Sequence, residues 1–277
     1  MTERISSFTR AGLTFDVRDA GPGDGTPVVL LHGFPQDSRS WERLAPLLHA
    51  RGFCTLAVDQ RGYSPGARPR SRWAYRLSEL TADVVALVEQ HRLGPVHVVG
   101  HDWGAAVAWM LAARRPDLVR TLTALSVPHP AAFVRALLTS SQSRKSWYMA
   151  AFQLPVLPER VFATTGFARR ALLSSGMTAA QADRDLAAMR ERCRIRGALN
   201  WYRAMPFTIP RSAAAAVTVP TLYVWSDDDI ALGPVAARLT ERFVTGPYTF
   251  ETLHGVSHWI PEEAPEQVDA LLGAHLR

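Results

Sequence analysis

The sequence predicts an α/β fold, a mostly parallel sheet flanked by helices. Short apolar runs recur along the chain, amphipathic helical patterns lie between them, and one long helical stretch interrupts the alternation. The runs are "PVVLLHG" (27–33), "FCTLAVD" (53–59), "PVHVVG" (95–100), "TLTALSV" (121–127), "PTLYVW" (220–225) and "YTFETL" (248–253). Before them, "SFTRAGLTFDVRDAGPGDG" alternates as an antiparallel pair closed by a Gly-rich turn. The segments "WERLAPLLHA", "LSELTADVVALVEQH", "AAVAWMLAARRPDLV" and the C-terminal "EQVDALLGAHL" repeat apolar residues at three- and four-residue spacing, the period of a helix with one buried face. From about residue 131 to 213 the strand rhythm stops and the chain turns helical and arginine-rich. The simplest organisation is a core of 1–130 and 214–277 with a helical cap, 131–213, inserted over the carboxyl ends of the strands.

At 277 residues and 47% hydrophobic, the chain can bury a large core. No apolar run approaches the roughly 18 residues that cross a bilayer, and the first thirty residues lack a basic start followed by an apolar stretch, so a cytoplasmic protein is expected. Cys54 and Cys193 stand in unrelated contexts without metal-ligand spacing, which argues against a disulfide framework, a zinc site or any other metal. The net charge of +6 raises nucleic acid as a partner, and Arg184, Arg190, Arg192, Arg194 and Arg196 do crowd one helical stretch. They are interleaved with Asp183, Asp185 and Glu191, however, and Lys145 is the only lysine among 31 basic residues, so a coding bias toward arginine on a solvated helix explains them better.

The chemistry concentrates where "VHVVG" breaks into "HDWGAAVAW". A buried strand that turns sharply into a helix between glycines, Gly100 and Gly104, is the setting in which one side chain stands exposed at the top of a sheet as a nucleophile. Here that side chain is Asp102, whose other ordinary role would be an N-cap for the helix starting at Trp103. An earlier loop, "HGFP" (32–35), also leaves a strand. The backbone N–H groups of Phe34 and Trp103 would then converge as an oxyanion hole. A nucleophile of this kind is followed in the chain by an acid and then a base. After "TLYVW" come Asp227, Asp228 and Asp229, and after "YTFETL" come His254 and His258, of which His258 is favoured by its Gly/Ser loop before the terminal helix.

With "HGFP", "RGYSPG", "GHDWGA", "DDDIALGP" and "SHW" in this order, the sequence resembles the α/β-hydrolase-fold epoxide hydrolases, relatives of the haloalkane and fluoroacetate dehalogenases, over nearly its whole length. The resemblance implies Asp102 as nucleophile, His258 as base and Asp229 as the acid orienting it, with Asp228 as the fallback. It also implies two cap tyrosines that donate to the epoxide oxygen: Tyr148, four residues before Phe152-Gln153, and Tyr202, in "LNWYRA". Where members of the family have Pro-Gly after Phe-Gln, this chain has Leu154-Pro155.

A carboxylate with an ordinary pKa near ~3.9 is anionic at neutral pH and can attack a saturated carbon directly, whereas serine suits acyl transfer. The expected reaction is therefore conversion of a small hydrophobic epoxide and water to a vicinal diol through an Asp102 ester, without a cofactor. Haloalkane dehalogenation is the alternative. Dehalogenases of this fold commonly place an Asn where Phe34 stands, and Phe34 has no side-chain donor for a halide. A silent scaffold that only binds ligands is the other alternative. The aromatic and apolar cap residues Trp147, Met149, Phe152 and Trp201 suggest a hydrophobic pocket, and both monomer and homodimer stay open.

Overall fold

In the computed structural model, residues 4–164, 166–207 and 215–277 are described. Eight strands form one sheet in the order β1-β2-β4-β3-β5-β6-β7-β8. The strands are β1 Ser7–Arg10, β2 Leu13–Ala20, β3 Thr26–Leu31, β4 Phe53–Val58, β5 Val96–His101, β6 Val119–Leu125, β7 Thr221–Ser226 and β8 Tyr248–Leu253. β1 and β2 pair antiparallel, as do β2 and β4, and every pairing from β4 through β3 to β8 is parallel. The β1–β2 hairpin closes at Ala11-Gly12, both at positive φ, so the Gly-rich segment 21–25 joins β2 to β3 instead of closing the pair.

The central strands read as unbroken apolar runs because both of their faces are covered. Val29, Leu31 and Val98 point into one core layer with α2 (Leu77–Gln90) and α3 (Trp103–Arg114). Val28, Leu30 and Val99 point into the other, which is filled by Leu48 of α1 (Ala45–Ala50) and by Val268 and Leu272 of the C-terminal helix. The helix expected from residue 41 begins later. Ser38–Trp41 forms a tight 3-10 turn, and α1 starts only at Ala45 with Pro46 in its first turn, the one place in a helix where proline loses no hydrogen bond.

Among the described residues between β6 and β7 there are seven α-helices: α4 Pro130–Thr139, α5 Gln142–Lys145, α6 Trp147–Ala151, α7 Leu157–Thr164, α8 Gly166–Ser174, α9 Ala179–Met189 and α10 Arg192–Ala204. The expected cap boundary at 213/214 lies outside the described residues. Beyond β7 come α11 Pro234–Leu239, α12 Ile260–Glu263 and α13 Pro265–His275. Among the described residues no helix is long and apolar enough to cross a membrane.

Candidate active site

Asp102 occupies the corner between β5 and α3 with φ 52° and ψ −121°, a left-handed conformation that an L-residue adopts only under constraint. The constraint comes from close packing: a Cβ on Gly104 would lie 1.9 Å from the carbonyl oxygen of Leu31, and one on Gly33 would lie 2.3 Å from Asp102 Oδ1. Although Asp102 stands at the N-cap position, its side chain makes no cap hydrogen bond. Oδ1 instead accepts from the Phe34 N–H at 2.8 Å. The Trp103 N–H, the first donor of α3, has no acceptor within the helix, as at any helix N-terminus. Burial alone would raise the Asp102 pKa. The hydrogen bond and charge of His258, helped by His101 and the Phe34 N–H, outweigh it and hold the carboxyl below its ordinary value, so Asp102 is anionic at neutral pH.

His258 follows β8 and is buried. Its Nδ1 lies 2.7 Å from Asp229 Oδ2, and its Nε2 lies 3.5 Å from Asp102 Oδ2. Asp229 is fixed in turn because its Oδ1 accepts from the Ala231 N–H at 2.7 Å and the Leu232 N–H at 2.9 Å. Burial works against a charged imidazole. The charge of Asp229 and hydrogen bonds to Asp102 and Asp229 prevail, and the His258 pKa is pushed up to about 10. The neighbouring candidates are elsewhere: Asp227 pairs with the exposed His254 at 2.6 Å, and Asp228 is exposed to solvent.

Across the cavity from Asp102, Tyr148 of α6 and Tyr202 of α10 stand with their rings 6.1 Å apart, and Tyr202 also meets Trp103 and Phe34 edge to face. The Tyr202 hydroxyl oxygen accepts a hydrogen bond from the Trp103 indole N–H, which leaves its own proton available to a ligand. Burial and the Asp102 charge raise both phenol pKa values, so the hydroxyls keep their protons. A cavity of about 540 Å³ joins Asp102, His258 and both tyrosines, and it is walled by Phe34, Phe152 and Trp259 among others. A smaller pocket of about 110 Å³, lined by Trp103, Phe133 and Met149, also reaches Asp102 and Tyr148. Of the aromatic cap residues expected in the pocket, Trp201 is absent from both linings. It is core, with its indole N–H donating to the Arg61 carbonyl at 2.8 Å and its ring against Tyr63 and Trp103, because α10 turns that face toward the loop after β4.

Residues 26–265 match the family model of the alpha/beta hydrolase fold. The chain belongs to that family. Among curated relatives, an AB hydrolase superfamily protein, YfhM of Bacillus subtilis, is 35% identical over 96% of this chain and 95% of its own length. Epoxide hydrolase A of Mycobacterium tuberculosis is 30% identical over 98% of this chain and 96% of its own. A solved structure from a study of novel epoxide hydrolases in metagenomes from hot environments superimposes with a TM-score of 0.84 at 30% identity, covering 100% of this chain and 99% of that one. These matches put the chain among the epoxide hydrolase relatives of the family.

This alpha/beta hydrolase surrounds its site with a polar scaffold that has no signature in the sequence. The His258 carbonyl accepts from His101 Nε2 and Ser126 Oγ, both at 2.8 Å, and the Ser257 carbonyl accepts from Ser226 Oγ at 2.8 Å. Residues at the ends of β5, β6 and β7 thus tie down the loop that carries the histidine. On the opposite flank Gln36, two residues after Phe34, donates to the buried Glu262 carboxylate. Arg184 of α9 reaches Glu262 at 2.7 Å and Asp185 at 2.7 Å, and Arg194 of α10 reaches Asp37 at 2.5 Å. Two arginines expected on a solvated face are therefore turned inward, bracing the Phe34 loop and α12 against α9 and α10. The only sequence signal was their interleaving with acids, which does not say which acid each one meets.

Proposed function

We propose that the protein hydrolyses small hydrophobic epoxides to vicinal diols, with Asp102 as nucleophile, His258 as base, Asp229 as its orienting acid, and Tyr148 and Tyr202 as donors to the epoxide oxygen. The observation that carries the reading is an anionic carboxylate at the strained corner facing two protonated phenols across one cavity. Halide departure needs no proton, whereas an alkoxide does, and the phenols supply one. The epoxide hydrolase relatives support the same reading.

In the first step Asp102 Oδ2 attacks an epoxide carbon, the C–O bond breaks, and the departing oxygen takes a proton from one tyrosine while the other holds it by a hydrogen bond. The attack consumes the Asp102 charge. One of the two carboxylates that keep His258 protonated is then gone, so its pKa falls and its proton passes through water to the tyrosinate, restoring the phenol just when a base is needed. Neutral His258, with Nδ1–H held by Asp229, takes a proton from water attacking the ester carbonyl. The oxyanion that forms at Oδ1 meets the Phe34 N–H, already 2.8 Å away, and the Trp103 N–H; its collapse breaks the bond between the ester carbon and Oδ2, the diol oxygen takes the remaining water proton, and the Asp102 carboxylate and protonated His258 are restored. Water, substrate and this chain suffice. We place the reaction in the cytoplasm, in keeping with Cys54 and Cys193 as free thiols, with the helices between β6 and β7 as its cap.

The test compares styrene oxide with a bromoalkane in Tyr148→Phe, Tyr202→Phe and the double variant. Each single change should slow epoxide opening, and the double change should lower it by on the order of 10²- to 10⁴-fold, the range of a lost positioned acid. Double-variant activity near wild type, or wild-type turnover of bromoalkanes faster than of any epoxide, would replace this reading with dehalogenation.

A further inference from the structure

The exposed residues of α4 to α8, several of which also line the mouth of the cavity, have a composition unlike the rest of the surface. Among the described residues, nine large hydrophobic side chains are exposed, and six of them lie within 130–176: Leu138, Trp147, Leu154, Val156, Leu157 and Phe167. Residues 154–157, Leu-Pro-Val-Leu, are exposed without interruption, and Val156 holds φ +67°, a conformation β-branched residues avoid. Four consecutive exposed apolar residues are a liability unless something covers them.

The same stretch holds Arg135, Arg144, Lys145, Arg160, Arg169 and Arg170 against a single acid, Glu159, so nearly all of the chain's net charge of +6 resides there. Arg203 pairs with Glu159, and Arg169 pairs with Asp183. Lys145 donates to the backbone carbonyls of Asp229 and Ile230, and among the described residues it forms no salt bridge.

Trp147, Leu154, Leu157, Phe167 and the exposed Ile230 also line the 540 Å³ cavity, together with Arg144 and Lys145. A side chain that is both solvent-exposed and cavity-lining sits at the mouth. The entrance is therefore an apolar rim set in a basic surface.

We infer that this face docks on an anionic phospholipid bilayer, with the rim resting among the acyl chains and the cations among the headgroups, so that the mouth of the cavity opens into the lipid. Charge complementarity selects this occupant. A second copy of the chain would have to bring two like-charged faces together, whereas an anionic leaflet attracts each near-surface cation with about 1 kcal/mol, roughly fivefold in binding. An apolar strip flanked by Arg and Lys is how peripheral proteins bind such surfaces. Delivery of substrate from the lipid rests on the epoxide hydrolase reading; the docking itself does not.

Vesicle flotation tests it, with the full chain mixed with phosphatidylcholine vesicles with or without phosphatidylglycerol. The protein should float with the anionic vesicles, less with phosphatidylcholine alone, and less as salt is added. Val156→Asp and Arg170→Glu, neither of which lines the cavity, should each weaken flotation by roughly fivefold or more. Both should leave hydrolysis of dissolved styrene oxide and the melting temperature unchanged. Failure to float with anionic vesicles overturns the inference, as does flotation that neither variant weakens. A concentration-dependent dimer in sedimentation velocity that Val156→Asp dissolves would make a second copy the occupant and overturn it too. Flotation without epoxide turnover would leave the docking standing and refute the catalytic reading.

Discussion

Asp229→Asn changes one atom, and the hydrogen bonds around Asp229 determine its effect. In the wild type Oδ1 accepts two backbone N–H groups, from Ala231 and Leu232, while Oδ2 faces His258 Nδ1 at 2.7 Å. An asparagine amide has only one acceptor oxygen, and turning its NH₂ toward two N–H donors would set donor against donor in a buried loop. The oxygen must therefore occupy the Oδ1 position and the NH₂ must face His258. Nδ1 then becomes an acceptor, the imidazole proton moves to Nε2, and no lone pair faces the water that attacks the ester. Losing a positioned base costs on the order of 10²- to 10⁴-fold, about 3 to 5 kcal/mol on the barrier.

On the proposed mechanism the loss falls on ester hydrolysis and spares alkylation, so one equivalent of substrate should accumulate on Asp102 and be visible by intact mass within the first turnover. Asp228→Asn should behave as wild type, because Asp228 is exposed and makes no hydrogen bond to the histidine. An Asp229→Asn enzyme that turns over at the wild-type rate without adduct, or an Asp228→Asn enzyme that traps the ester, would refute the reasoning.

The charges around the site set two further outcomes. The His258 pKa is about 10 in the folded chain against about 6.5 unfolded. Its stabilising contribution is thus complete below about pH 6.5 and lost as pH rises through about 10; the melting temperature should fall over that window, and the same series on His258→Gln should be flatter. Parallel curves would mean the two carboxylates do not hold the imidazolium. Arg184→Ala leaves the buried Glu262 and Asp185 without their cation. Burial raises the Asp185 pKa to about 6 even with Arg184 beside it, and losing the cation raises it further, so the cost, about 3 kcal/mol or roughly 5–10 °C in Tm, should be largest well above pH 6 and shrink as pH falls toward 6. A Tm loss independent of pH would assign the effect to packing.

What could be read from the sequence was what is written locally. The parallel strands stood out because a strand buried on both faces is apolar at every position, as Val28 to Leu31 are, and α2 stood out because one face alone is buried. The corner at Asp102 was legible because glycines flank it. The carboxylate partner of His258 was not legible from the residues alone: Asp227, Asp228 and Asp229 are adjacent in the chain, and only the turn that buries one and exposes two distinguishes them. Nor could Gln36–Glu262 or Arg194–Asp37 be read, since these partners lie 226 and 157 residues apart and no periodicity connects them. Trp201 misled because an aromatic on a cap helix has two faces to choose from, and its indole N–H found a core carbonyl.

The hydrogen bond from the Phe34 N–H to Asp102 Oδ1 makes the two oxygens of one carboxylate unequal. On the proposed reaction Oδ2 leaves with the diol in every cycle and water replaces it, while Oδ1, moored to the backbone, outlasts many cycles. Each molecule of enzyme thus gives away an atom of its own side chain and regains one from solvent at every turnover. A single turnover in ¹⁸O-labelled water should release unlabelled diol and leave the label on Asp102.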